Sequence, residues 1–180
     1  MVIVRIPSLH KNLPTDHDII FLIFIVLAVL QVLIANHIHL FHFATPLLYV
    51  YLPLVMRRGA LRWAMLLWAF SMGLLMDTFN NTPGVASGSM TLVALLQPYI
   101  LERMLVREGE EDLIPSVVTM GQKQFAYYTI TFTALYCVVF YTLELFSFFN
   151  FWVWAGCVLG STAITSVLIL AVESVRRKKD

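Results

Sequence analysis

Few residues in this 180-residue chain could do chemistry, and most of them lie where an ionised group is costly. Asp77 and Glu144 fall inside long apolar stretches, and Glu173 lies near the end of another. A charged group at the centre of a membrane helix costs roughly 2.5–3.5 kcal/mol on insertion scales, so such groups face protein or water. At 1.5 Å per helical residue, Asp77 sits about 24 Å and Glu144 about 30 Å from the start of their stretches, both near the same interface. Asp77 has two readings. Gly73, four residues earlier, shares a helix face with Ala69, so a neighbouring helix can come close while the carboxylate points inward and walls an outward-opening polar pocket or partner site. Alternatively, the carboxylate accepts hydrogen bonds from the backbone of the turn 80–84, as Asp side chains commonly do. Glu144 shares a helical stripe with Tyr141, Cys137 and Thr133 and reads first as a solvated interfacial carboxylate. The candidate pocket or partner site is Gly73, Asp77, Pro83, Gly84 and Glu144.

Other chemistry is scarce. His37, His39 and His42 are residue types that bind zinc or copper, but no convincing fourth ligand accompanies them, and no metal site is expected. Cys137 and Cys157 lie in apolar runs and read as small packing residues. There is no Gly-rich phosphate loop, no His-Glu-x-x-His pair and no Gly-x-Ser-x-Gly turn, so the sequence points to no catalytic residue and no cofactor.

The elements that must position these residues follow from composition. With 59% hydrophobic and 13% charged residues, the chain carries about half the charge of a soluble domain. A water-soluble globule is excluded, and with a net charge of +1 there is no case for nucleic-acid binding. About 106 apolar residues suffice for five or six membrane-spanning helices of about 20 residues each, leaving no room for a second domain. The apolar stretches predict spans at 18–36, 40–56, 61–79, 84–101, 124–149 and 151–173 of one transmembrane domain, 1–180. The first stretch has no small-residue cleavage site after it and is expected to stay as an anchor.

The second span is the weakest. Its cleanest part, 44–56, covers about 20 Å as a helix against a hydrocarbon core of about 30 Å, and Pro46 and Pro53 interrupt its hydrogen-bond ladder, so it could be kinked or re-entrant. Charge placement argues for a full crossing. Arg5 and Lys11 precede the first span; Arg57, Arg58 and Arg62 follow the second; Arg103, Arg107 and Lys123 lie between the fourth and fifth; Arg176, Arg177, Lys178 and Lys179 end the chain. With six crossings all 12 basic residues fall on the cytoplasmic side with both termini. The largest aqueous piece is then 102–123, which reads as a solvated linker carrying Glu108, Glu110, Glu111 and Asp112. Gly84 with Gly88, and Gly156 with Gly160, are small residues four apart that suit internal helix packing or the docking of a single-span partner. Trp63, Trp68, Trp152 and Trp154 suit interfacial anchoring or lipid contact, and the basic C-terminal end suits anionic lipid.

The stretch from Gly73-Leu74-Leu75-Met76-Asp77 through Asn80-Asn81-Thr82-Pro83-Gly84 resembles the MreD family of rod-shape-determining membrane proteins, whose third span ends Gly-Leu-x-x-Asp before a turn containing Pro and Gly. Chain length and the basic end are also similar to that family. Pro83 and Gly84 are adjacent here, whereas many members space them. The resemblance implies an all-α bundle of six transmembrane helices similar to the substrate-binding subunits of energy-coupling-factor transporters. It also implies a place in the bacterial inner membrane as a multi-pass, non-enzymatic scaffold of the cell-elongation machinery, binding MreC. Through MreC the protein would associate with the glycosyltransferase and transpeptidase of lateral-wall peptidoglycan synthesis. The competing expectation is a small-molecule, vitamin-type binding subunit of a membrane transporter, motivated by the carboxylates at the outer ends of the spans.

Overall fold

A computed structural model describes residues 16–37, 45–57, 61–104, 115–145 and 151–177. The described residues are all helical or connecting, with no strand. The long helices are α1 (Asp16–His37), α3 (Arg62–Asn80), α4 (Val85–Met104), α6 (Gln122–Leu145) and α7 (Phe151–Arg177). Two helical pieces of four residues each, α2 (Tyr51–Leu54) and α5 (Val117–Met120), complete the set. The five long helices fall close to five of the predicted spans.

The second predicted span, 40–56, is not one continuous helix in its described part. Residues 45–47 are not helical, Leu48–Val50 form a 3₁₀ turn, and α2 ends at Leu54. Pro46, which cannot donate a backbone hydrogen bond, stands in the non-helical stretch, whereas Pro53 sits in the first turn of α2, where its missing amide hydrogen costs no helical bond. Residues 38–44, which hold His39 and His42, lie outside the described residues.

Two helices, Gln122–Glu144 and Phe151–Val175, are long and apolar enough to cross a membrane, and Ile20–Leu33 is a shorter apolar helix. The core is mainly apolar, yet it encloses several polar side chains while many large apolar ones are exposed. Leu22, Val29 and Leu33 on α1, Leu67 and Leu74 on α3, and Leu159 and Val167 on α7 are exposed, whereas Gln31, Asp77, Ser89, Gln97, Thr129, Thr133, Thr165 and Glu173 are buried. Such an arrangement suits hydrocarbon around the bundle, because polar groups find their partners inside and apolar ones face lipid.

Packing is sequential around the bundle: α3 pairs with α4, α4 with α6, and α6 with α7, while α1 lies against α3 and the broken segment 45–56. On α1, Phe21 and Phe24 approach Trp68 of α3 at ring-centroid distances of 6.2 and 5.6 Å. Trp68 is therefore a packing residue, whereas Trp63 and Trp152 are exposed as expected of interfacial or lipid-facing rings.

Candidate functional site

The candidate region is built where α3 turns into α4. Asn81, one residue past α3, takes the left-handed conformation (φ 58°), which Asn tolerates better than most side chains and which ends helices by capping their last carbonyls. Gly84 follows at φ +88°, a conformation that a side chain would strain. The chain thus reverses within four residues and sends α4 back along α3.

Asp77 closes this reversal. One carboxylate oxygen accepts hydrogen bonds from the Ala86 amide at 2.8 Å and the Thr82 hydroxyl at 3.3 Å. The other accepts from the amides of Gly84 (3.1 Å) and Ser87 (2.9 Å) and from the Ser87 hydroxyl (2.7 Å). The first turn of any α-helix leaves amides without intrahelical partners, and a side chain at the N-cap normally takes them. Gly84 stands at that position without a side chain, and Asp77 does the work from the preceding helix. The Val85 amide donates to the Thr82 carbonyl at 3.3 Å, and the Gly88 amide begins the ladder on Gly84 at 3.1 Å. A carboxylate held at a helix N-terminus also gains from the helix dipole.

Gly73 makes this reach possible. A β-carbon built on it would lie 2.4 Å from the Ser87 α-carbon and 2.7 Å from both the Ala86 carbonyl oxygen and the Ser87 amide nitrogen. These are backbone atoms, so no rotamer change makes room. One helical turn separates the glycine that brings the helices together from the carboxylate that fastens them.

The remaining candidates are dispersed. Pro83 and Gly84 are exposed at the turn, and a β-carbon built on Gly84 would meet nothing within 4 Å. Gly88 is exposed and would make only an ordinary 3.9 Å contact with Leu143 of α6. Gly156 is exposed, a β-carbon built on it would meet no neighbouring element within 4 Å, and Gly160 is half-buried. Gly73 therefore marks a tight helix approach, which Gly84, Gly88 and Gly156 do not. Glu144 is exposed near the end of α6 and shares no hydrogen bond with Asp77. Cys137 and Cys157 are free and buried, and the described residues contain no group of three or more His, Cys, Asp or Glu suited to a metal ion.

A second polar construction, absent from the sequence reading, holds the broken segment in the core. All ten residues from Leu47 to Met56 are buried. Gln31 of α1 brackets its start, donating to the Pro46 carbonyl at 2.8 Å and accepting from the Leu48 amide at 3.0 Å. Thr45 donates its amide to Ser161 (3.2 Å) and shares a hydroxyl contact with Tyr141 (3.0 Å), while the Leu47 amide donates to Thr165 (3.0 Å). Lower down, the Tyr49 and Tyr136 hydroxyls meet at 2.5 Å, and Tyr51 donates to Glu173 at 2.7 Å. At the far end Tyr128 donates to the Leu54 carbonyl and Gln97 to the Met56 carbonyl, each at 3.3 Å. Buried backbone that leaves a regular ladder needs other partners, and the Thr45, Leu47 and Leu48 amides and the Pro46, Leu54 and Met56 carbonyls find them in side chains.

The order of these partners gives the segment a direction. Between Thr45 and Leu54 its partners on α6 pass from Tyr141 through Tyr136 to Tyr128, a descent of about 20 Å at 1.5 Å per residue. On α7 they pass from Ser161 through Thr165 to Glu173, about 18 Å. The segment runs lengthwise through the bundle, antiparallel to α6 and parallel to α7.

Glu173 also receives the Val117 amide at 3.4 Å, at the start of α5. The 102–123 segment is therefore not wholly a solvated linker. Its described end folds as α5, capped by reciprocal Ser116–Thr119 hydrogen bonds and docked on α6 and α7. Its acidic run, Glu108 to Asp112, lies outside the described residues.

No known protein family, characterised protein or solved structure matches the chain.

Proposed function

We propose that this protein is a non-enzymatic, six-crossing inner-membrane scaffold of the MreD type, which binds the membrane-spanning or juxtamembrane part of MreC. The observation that carries the reading is the use made of the Gly-Leu-x-x-Asp stretch: Gly73 and Asp77 fasten α3 to α4 and leave the carboxylate no acceptor position for a ligand or a reacting group. A motif spent on fixing two helices suits a rigid docking surface better than turnover. The exposed small residues Gly84, Gly88 and Gly156 then become places where a partner helix can pack closely.

The lengthwise course of segment 45–56 supports a full second crossing, which puts Arg57 on the same side as the other cations. The vitamin-type binding alternative loses its chief motive, because Asp77 is consumed by five hydrogen bonds and Glu144 stands apart from it.

The direct test is co-purification of tagged protein with MreC in mild detergent. Recovery of MreC with the wild type, reduced by Gly73→Leu more than by Trp63→Ala, is the expected result. Failure to recover MreC in any amount refutes the scaffold, and a small molecule retained in native mass spectrometry favours the transporter subunit.

A further inference from the structure

We infer that the cytoplasmic end of the α3–α4 pair binds the headgroup of an anionic phospholipid. The inference rests on the membrane placement above but not on the partner. The antiparallel pairing that sets Gly73 against Ser87 places Arg62 beside Tyr99, and the Arg62 guanidinium carbon lies 6.0 Å from the Tyr99 ring centroid. One turn further along α4, on the same exposed face as Tyr99, stands Arg103. Both arginines are exposed, and among the described residues neither has an ion-pair partner. Glu102 is exposed beside Arg103 but forms no salt bridge with either.

The surroundings are those of a lipid rather than of a soluble anion. Leu61 and Trp63 flank Arg62 at 62% and 65% exposure, a level of apolar display that water does not favour at a helix start. Further along the two helices from the arginines, Phe70 of α3 and Leu92 and Leu95 of α4 are exposed, and Leu66 of α3 is half-buried. Helix α1 packs on the other side of α3, at Trp68, and leaves Phe70, Leu92 and Leu95 exposed. Two guanidiniums at the interface with an apolar track leading into the membrane match a phosphate ester carrying acyl chains, and arginine pairs with phosphate through parallel hydrogen bonds. Tyr99 steadies one guanidinium by its ring face.

The test titrates detergent-solubilised full-length protein with dioleoyl phosphatidylglycerol or dioleoyl phosphatidylcholine and counts retained lipid by native mass spectrometry. Wild type should retain phosphatidylglycerol about tenfold more strongly, and Arg62→Gln with Arg103→Gln should abolish the preference. Arg176→Gln with Arg177→Gln removes the same charge from the chain end and should change retention less than about twofold. Equal loss in the two double variants, or no preference in the wild type, overturns the site. Inorganic phosphate at millimolar concentration should fail to displace the lipid; full displacement overturns the lipid assignment in favour of a soluble phosphate. All proteins are compared at matched melting temperature, which these exposed positions should leave unchanged.

Discussion

Asp77→Asn separates a fastening carboxylate from a ligand-binding one. The wild-type side chain accepts five hydrogen bonds, three from amides at the start of α4. The amide side chain keeps one acceptor oxygen and turns an NH₂ group toward donors that it cannot satisfy. Loss of the charge at a helix N-terminus costs up to about 2 kcal/mol in partly buried geometry. Each buried donor left unpaired costs about 1–3 kcal/mol, although the exposed turn residues Asn81, Pro83 and Gly84 let water reach part of the cap. The net expectation is about 2–3 kcal/mol for Asp77→Asn and about 3–5 kcal/mol for Asp77→Ala. For a chain of this size that corresponds to a melting shift of roughly 5–10 °C for the Asn variant. Thermal unfolding in one detergent measures it, paired with MreC co-purification well below the melting point. A fastening role predicts reduced stability with near-normal capture by the protein that remains folded. Stability within about 0.5 kcal/mol of wild type, combined with lost capture, would refute the argument and restore the pocket reading.

Four further outcomes are expected. Gly73→Ala should destabilise by about 1–3 kcal/mol because backbone must move, whereas Gly156→Ala, with open space around it, should stay within about 0.5 kcal/mol in the same melting assay. Gln31→Leu removes partners of both Pro46 and Leu48 and should cost about 2–4 kcal/mol; a neutral result would mean that the segment 45–56 is not held as described. Tyr49→Phe and Tyr136→Phe should each cost about 1–2 kcal/mol, and the double variant less than the sum, since it strands neither hydroxyl. Gly73→Ala combined with Gln97→Leu should be non-additive in a double-mutant cycle, because displacement of α4 lengthens the Gln97 hydrogen bonds to Met56 (3.3 Å) and Tyr128 (3.2 Å).

Long apolar runs made the five long helices legible, since a helix of that length carries a sustained apolar pattern. The second span was hard to read for a physical reason. Its length was judged at the helical rise, but an extended residue covers about 3.3 Å against 1.5 Å, so a broken segment travels farther per residue. Gly73 and Asp77 were legible from their spacing, and the turn reading of Asp77 came near the observed geometry. The partner was not legible, because no local pattern says which backbone a carboxylate will meet. Gln31 and Gln97 were readable in principle. A buried side-chain amide demands partners as a buried carboxylate does, although it carries no charge to mark it in an apolar stretch. Small residues four apart, as in Gly84/Gly88 and Gly156/Gly160, are equally compatible with a helix contact and with an exposed face, and only the neighbouring helix decides between them.

Helix α4 joins the two polar constructions. Its first turn is held by Asp77, and Gln97, ten residues later and about 15 Å along the axis, holds the end of the buried segment. Helix association in lipid has no hydrophobic drive of its own, so register must come from close packing and from hydrogen bonds that only one arrangement satisfies. Gly73 supplies the close packing and Asp77 the directional bonds at one end, and Gln97 with Tyr128 supplies them at the other. A helix fixed at two points about 15 Å apart keeps the outward face between them constant. Gly88, Leu92, Leu95 and Tyr99, the exposed line along that face, are therefore presented in a fixed order from the Asp77 turn toward Arg103. Constancy of that line is what a docking surface for a partner helix or a lipid requires, because each ordering cost already met in the free protein is one that binding does not face.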